Sequence, residues 1–127
     1  MKIFIVGISG LLGLNTSLQL SKSHQVAGCY NTNPISIDGV EVFDIDITHN
    51  NPLDSILASI KPDLIINTVA LTNVEFCEDN PKLAHNLNAE AAKYIAEIAH
   101  SLHIKLVHVS TDHVFDGENP WRNETDN

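Results

Sequence analysis

Cysteine is nearly absent: Cys29 and Cys77 are the only two. They make no disulfide framework, and neither has a partner at metal-ligand spacing, so reduced thiols are expected. Basic residues are scarce too, seven against sixteen acidic, for a net charge of −9. That balance repels nucleic acid and anionic lipid, so a phosphate ligand has to be held locally by backbone amides. No stretch of 18 residues is apolar throughout, which leaves no candidate membrane-spanning helix. An export signal is also missing. Val26-Ala-Gly-Cys29 imitates a lipidation box, but the polar Ser21–Gln25 separates it from the apolar segment, so a cytoplasmic location is expected. Internal repeats, low-complexity tracts and linkers are absent as well, and 127 residues suit one domain.

What is present is 43% apolar residues arranged in alternating strand and helix signals. This pattern forms a parallel sheet with helices on its faces. Strand signals cover Lys2–Val6, Gln25–Tyr30, Val40–Ile45, Asp63–Thr68 and Ile104–Val109. A first helix from about Gly10 to Ser21 has Leu11, Leu14 and Leu18, with Leu12 and Leu20, as its expected buried face. A second starts near Pro52 behind Asn51 as cap and buries Leu53, Ile56, Leu57 and Ile60. The chain then loops through Leu71–Asn73. A long helix from about Pro81 to His103 repeats Leu83, Leu87, Ala91, Ile95, Ala99 and Leu102, with Ile98 beside them. Right-handed crossovers give a Rossmann-type, doubly wound α/β sheet of order 3-2-1-4-5, ending after strand five. A flavodoxin-like order of 2-1-3-4-5 is the competing topology.

Gly7-Ile-Ser-Gly10-Leu-Leu-Gly13 joins the first strand to the first helix. Gly7 can turn the chain with positive φ, Gly10 has no Cβ to hold the backbone off a pyrophosphate, and Gly13 lets helix and strand pack closely. Amides and dipole at the helix start then face an anion. The spacing is G-x-x-G-x-x-G, whereas the commoner dinucleotide fingerprint is G-x-G-x-x-G. A tight turn that merely packs well is the structural alternative. Seven histidines invite a metal hypothesis, but His100 and His103 end a helix, His108 lies in a strand and His113 in a loop, so no metal site is expected.

Three segments carry a resemblance to a known family: the glycine turn, Pro62–Asn67 continuing through Ala70–Asn73 and Cys77-Glu78, and Ser110-Thr-Asp-His-Val-Phe-Asp-Gly117. Together they resemble the extended short-chain dehydrogenase/reductases, and within them the dTDP-4-dehydrorhamnose reductases with an RmlD-type substrate-binding domain. The resemblance implies binding of NADPH or NADH and reduction of a 4-keto nucleotide sugar. It assigns cofactor contacts to Gly7, Ser9, Gly10, Leu11, Leu12 and Gly13, to Asn31, to Asp46 and Ile47, to Thr68, Val69 and Ala70, and to Asn88 and Ser110. Substrate contacts fall on Thr72, Asp112 and His113. Thr111 matches the catalytic Ser/Thr whose hydroxyl polarises the substrate carbonyl.

Several of these positions have a second reading. Asp46 is either the acid that bonds the adenine amine or a turn residue. Asn88 either meets the cofactor or orders backbone or water inside its helix, and Thr111 could tie down a loop. Tyr30 and Asn31 stand where an acid would select NAD, and no arginine replaces it, so the choice of cofactor stays open. Val69 departs from the family's alanine and threatens to crowd the cofactor, and His113 replaces a usual tyrosine.

The family's Tyr-x-x-x-Lys pair is missing, since Tyr30 and Tyr94 are followed four residues on by Pro34 and Ile98. Residues 1–127 therefore read as an incomplete NAD(P)-binding domain without its substrate-binding part, whether a fragment or a natural truncation. The runner-up functions are a non-catalytic NAD(P)-binding regulator and a nucleotide-sugar epimerase or dehydratase. If the 127 residues are the whole polypeptide, strand five loses its usual neighbours and is expected to leave an apolar edge prone to association, for example as a homodimer.

Overall fold

The computed structural model describes residues 1–48 and 52–111, with 117 and 123. Its five strands are β1 (Lys2–Val6), β2 (Gln25–Tyr30), β3 (Glu41–Asp44), β4 (Leu64–Asn67) and β5 (Lys105–His108). They form one parallel sheet in the order β3-β2-β1-β4-β5, the Rossmann order expected above and not the flavodoxin-like one. β1 is central, with Ile3 to Val6 buried on both faces, as continuous apolar runs dictate in a parallel sheet. The order reverses between β1 and β4, which puts the topological switch point beside the glycine turn.

Helix α2 (Leu53–Ile60) covers one face with Leu53 and Leu57, as its spacing predicts. Pro52 stands at its cap position, and the predicted cap Asn51 lies outside the described residues. The same face receives Ala91, Ile95, Ile98 and Ala99 from α5 (Ala91–Ser101), against Phe4, Val6, Ala27, Cys29 and Ile65 of the sheet. Each fully buried Ile or Leu contributes about 1.5–3 kcal/mol relative to exposure. Leu83 and Leu102, predicted to join this stripe, are exposed.

The predicted long helix runs unbroken from Pro81 to Ser101, but a π turn interrupts its α-helical pattern, and a further short helix precedes it. Val74–Asp79 forms a separate short helix, α3, capped by Asn73, whose side chain accepts from Phe76 N at 2.9 Å. Then come α4 (Pro81–His85) and a π turn over Asn86–Glu90, which feeds α5. The extra residue in that turn shifts the phase of the apolar repeat, so Leu83 falls off the buried side.

Helix α1 (Leu11–Leu20) departs from the expected burial at three of its five leucines. Its buried residues are Gly13 and Ser17, while Leu11 is 86% exposed and Leu12 and Leu18 are exposed as well. The cause is distance: a Cβ on Gly13 would lie 2.2 Å from Gly7 O, so only small residues fit this crossing. Ser17 satisfies its hydroxyl by donating to Leu14 O at 2.7 Å. Of the expected leucines Leu14 and Leu20 do turn this way, half-buried, and join Ile8 and Ile37 in the apolar cover on this face. Ile8 is fully buried over Gly28 of β2, where an added Cβ would meet Ile8 Cδ1 at 2.7 Å and Ile5 O at 2.5 Å.

Candidate functional site

The carboxyl end of β1 runs into a turn that the end of β2 holds in place. Gly7 has φ +86°, and the amides of Gly7 and Ile8 both donate to Cys29 O, at 3.0 and 2.9 Å. Gly10 N donates to Gly7 O at 3.0 Å, and Leu14 N to Gly10 O at 2.8 Å closes the first turn of α1. Gly10 caps that helix in extended conformation without a side-chain hydrogen bond. The amides of Leu11, Leu12 and Gly13 consequently have no intrahelical acceptor and present the positive end of the helix dipole. This is the local geometry that receives a phosphate.

The three glycines have different reasons. At Gly7 a Cβ would meet Val69 Cγ2 at 2.7 Å and Thr68 Oγ1 at 2.9 Å, and at Gly13 it would strike backbone. At Gly10 the only neighbour is Gly7 O, at 3.3 Å. Packing therefore demands glycine at positions 7 and 13 and constrains position 10 less, by one tight contact with a carbonyl oxygen; Gly10 itself lines a crevice.

That crevice holds about 280 Å³. Gly7, Ser9 and Gly10 line it from the turn, Cys29 to Asn33 from the end of β2, Ile45 and Ile47 from beyond β3, and Thr68 to Ala70 from beyond β4, with Leu87 of the π turn. The sequence names Tyr30 only as standing where an acid would select NAD, and it does not select Thr32, Asn33 or Leu87. The turn chemistry of Asn31–Pro34 is the available signal for Thr32 and Asn33, and none announces Leu87. A larger hollow, about 890 Å³, lies at the opposite end of the sheet among Met1, Lys61, Leu102 and Lys105, far from the glycine turn.

Other candidates occupy different surroundings. Asp46 Oδ1 accepts from Thr48 N at 2.9 Å and Thr48 Oγ1 at 2.6 Å, the arrangement of a turn residue. Thr68 commits its hydroxyl to Val6 O at 2.8 Å and Gly7 O at 3.3 Å. Val69 packs over Gly7. Asn88, exposed on the π turn, makes a two-point contact with Leu71: Leu71 N donates to Asn88 Oδ1 at 2.7 Å, and Asn88 Nδ2 donates to Leu71 O at 3.0 Å. It orders backbone. Thr72, Ser110 and Thr111 are exposed, the last two just past the end of β5. Asp112 and His113 lie outside the described residues.

Burial pushes the Cys29 thiol up to about 12, the amide of Gly7 offsetting little of it, so the crevice offers no thiolate at neutral pH. Burial and then the Asp54 carboxylate raise the Tyr94 phenol, which packs from α5 against the core. Among the described residues no group of three or more His, Cys, Asp or Glu could hold a metal ion. No helix among them is long and apolar enough to cross a membrane.

Comparison with known proteins agrees with this architecture. The chain is 35% identical, over 91% of its length, to a probable low-salt glycan biosynthesis reductase, Agl14, of Haloferax volcanii, of which it spans 38%. A hypothetical dTDP-4-dehydrorhamnose reductase from Sulfolobus tokodaii superposes with a TM-score of 0.84 at 37% identity, covering 99% of this chain and 45% of that one. A dTDP-4-dehydrorhamnose reductase from Bacillus anthracis str. Ames, solved in complex with NADP, gives 0.75 at 28% identity, with coverages of 94% and 39%. The chain thus spans less than half the length of these relatives. The model of the RmlD substrate binding domain matches all of residues 1–127, and the chain belongs to that family.

Proposed function

We propose that residues 1–127 are the NAD(P)-binding unit of a cytoplasmic reductase that transfers hydride from NADPH or NADH to the 4-keto carbon of a deoxysugar nucleotide. The observation that carries this reading is the bare side of Gly10. The fold constrains that position by a single tight contact, with Gly7 O, and a Cβ would take up space a diphosphate needs at the uncapped start of α1. The dinucleotide, when bound, supplies the hydride. Amides of Leu11, Leu12 and Gly13 hold its diphosphate, and Tyr30 to Asn33 surround the ribose at the end of β2. With no carboxylate among those four residues, nothing repels a 2′-phosphate, so both cofactors are accepted. Thr111, beyond the end of β5, donates its hydroxyl to the substrate carbonyl and stabilises the charge that develops there. Thr72, Asp112 and His113 contact the sugar.

The test is the oxidation of NADPH and NADH by the full-length protein, with and without a dTDP-4-keto-6-deoxysugar. Turnover only in the presence of the sugar nucleotide is expected. Dinucleotide binding without turnover on any 4-keto sugar nucleotide would overturn the catalytic half of the proposal.

A further inference from the structure

The carboxyl ends of β4 and β5 are joined by one buried amide. Asn67, the last residue of β4, is 2% exposed, and its polar groups reach both the crevice-lining segment after β4 and the end of β5, where His108 is exposed. Its Oδ1 accepts from Val69 N at 3.1 Å, its backbone oxygen accepts from Val109 N at 3.1 Å, and its Nδ2 lies 3.0 Å from His108 Nδ1. The first of these bonds fixes the others. An amide N–H can meet only the carbonyl oxygen of the Asn67 side chain, so the NH2 group has to face His108. His108 Nδ1 must then be an acceptor, which puts the ring proton on Nε2.

We infer that Asn67 and His108 act as a latch that sets the end of β5, and with it Thr111, against the crevice-lining segment Thr68–Ala70. The inference rests on the function proposed above only for what the latch positions, not for its existence. Asn67 and His108 are directly paired in the β4–β5 register, so their side chains project from the same face of the sheet. Val69 on one side lines the crevice; on the other, Val109 is two residues from Thr111. Neither residue of the latch touches the reacting atoms. They are positioning residues: they hold the hydroxyl donor and the cofactor-facing backbone at one separation, as hydride transfer between oriented partners demands.

Two substitutions separate the latch from general stability. His108→Leu removes the acceptor and leaves a buried N–H unpaired, whereas His108→Gln returns an acceptor oxygen to the same side. In the full-length enzyme, His108→Leu is expected to lower kcat about tenfold with KM for NAD(P)H little changed, and His108→Gln to recover most of it. Unchanged kcat in His108→Leu overturns the positioning role. So does an equal loss in both variants.

Long-range 15N–1H spectra of uniformly 15N-labelled protein test the latch without reference to turnover. For neutral His108 a bare Nδ1 and a protonated Nε2 are expected, with a coupling across the hydrogen bond to Asn67 Nδ2 that a free imidazole lacks; a protonated Nδ1, or no such coupling, refutes the pairing. If the unsubstituted enzyme reduces no keto sugar while that coupling is seen, the function fails and the latch stands.

Discussion

Asn88 grips the backbone of Leu71 on both sides of its Cα, donating to its carbonyl at 3.0 Å and accepting from its amide at 2.7 Å. Cys77 Sγ adds a third contact, to the same carbonyl at 3.5 Å. The side chain that grips comes from the π turn, and the residue that is gripped lies just past Ala70 on the crevice wall. Asn88→Asp is the sharpest probe because it keeps the shape and replaces the donor with a second oxygen facing Leu71 O. We expect a loss of about 1 kcal/mol in denaturant unfolding. NADPH affinity should weaken several-fold in a fluorescence titration, since Val69 and Ala70 lose their support.

Gly10 and Gly13 should respond in opposite ways to the same methyl group. Gly13→Ala drives a Cβ to 2.2 Å from Gly7 O, and backbone must move, costing about 1–3 kcal/mol or more. Gly10→Ala meets one contact, Gly7 O at 3.3 Å, so its melting temperature without ligand should fall far less than that of Gly13→Ala. The thermal protection by NADPH should vanish from it, because the methyl occupies the diphosphate's place. A Gly10→Ala protein still protected by NADPH would contradict the assignment of that space.

The burial pattern of α1 predicts which substitutions matter. Leu11→Gln is expected to change stability by less than about 0.5 kcal/mol, as for an ordinary surface residue. Ser17→Leu, though more apolar, should cost about 1–3 kcal/mol, because Ser17 is fully buried where the helix crosses the sheet. Chemical denaturation of the two proteins decides it.

Cys29 gives a pH signature with a defined sign. Its thiol, ordinarily near 9.0, is raised to about 12 in the folded chain by burial. Below pH 9 it is protonated in both states, and its contribution is fully present. From pH 9 up to about 12 the unfolded chain loses its proton first, so stability falls as pH rises. The loss is roughly 4 kcal/mol at the upper end, at about 1.4 kcal/mol per unit. Cys29→Ala should therefore show a shallower alkaline decline than the parent when unfolding is followed from pH 8 to 11.

The strands were legible because a parallel sheet buries both faces: β1 and β2 run from Lys2 to Val6 and from Gln25 to Tyr30, as their apolar runs had indicated. Leucine spacing misled in part of α1, because periodicity counts apolar residues and cannot see that the approach to Gly7 O admits only glycine at position 13, one turn from the buried Ser17. The π turn left no mark on a repeat of nearly four, and only the exposure of Leu83 betrays the change of phase. At the site, the glycines announced the turn, whereas Asn88 was visible as a residue and not as a contact, since its partner Leu71 is seventeen positions away. The cap at Asn73 could have been found from its residue type ahead of a short helical segment.

Ile8 gives the glycine turn its own anchor, a fully buried side chain seated on Gly28 in the middle of a strand. The amides beyond it are thus arranged before any anion arrives, and capture of a dinucleotide need not freeze a floppy loop. Stopped-flow mixing should accordingly give a single phase whose rate climbs linearly with nucleotide, without a plateau from a preceding rearrangement.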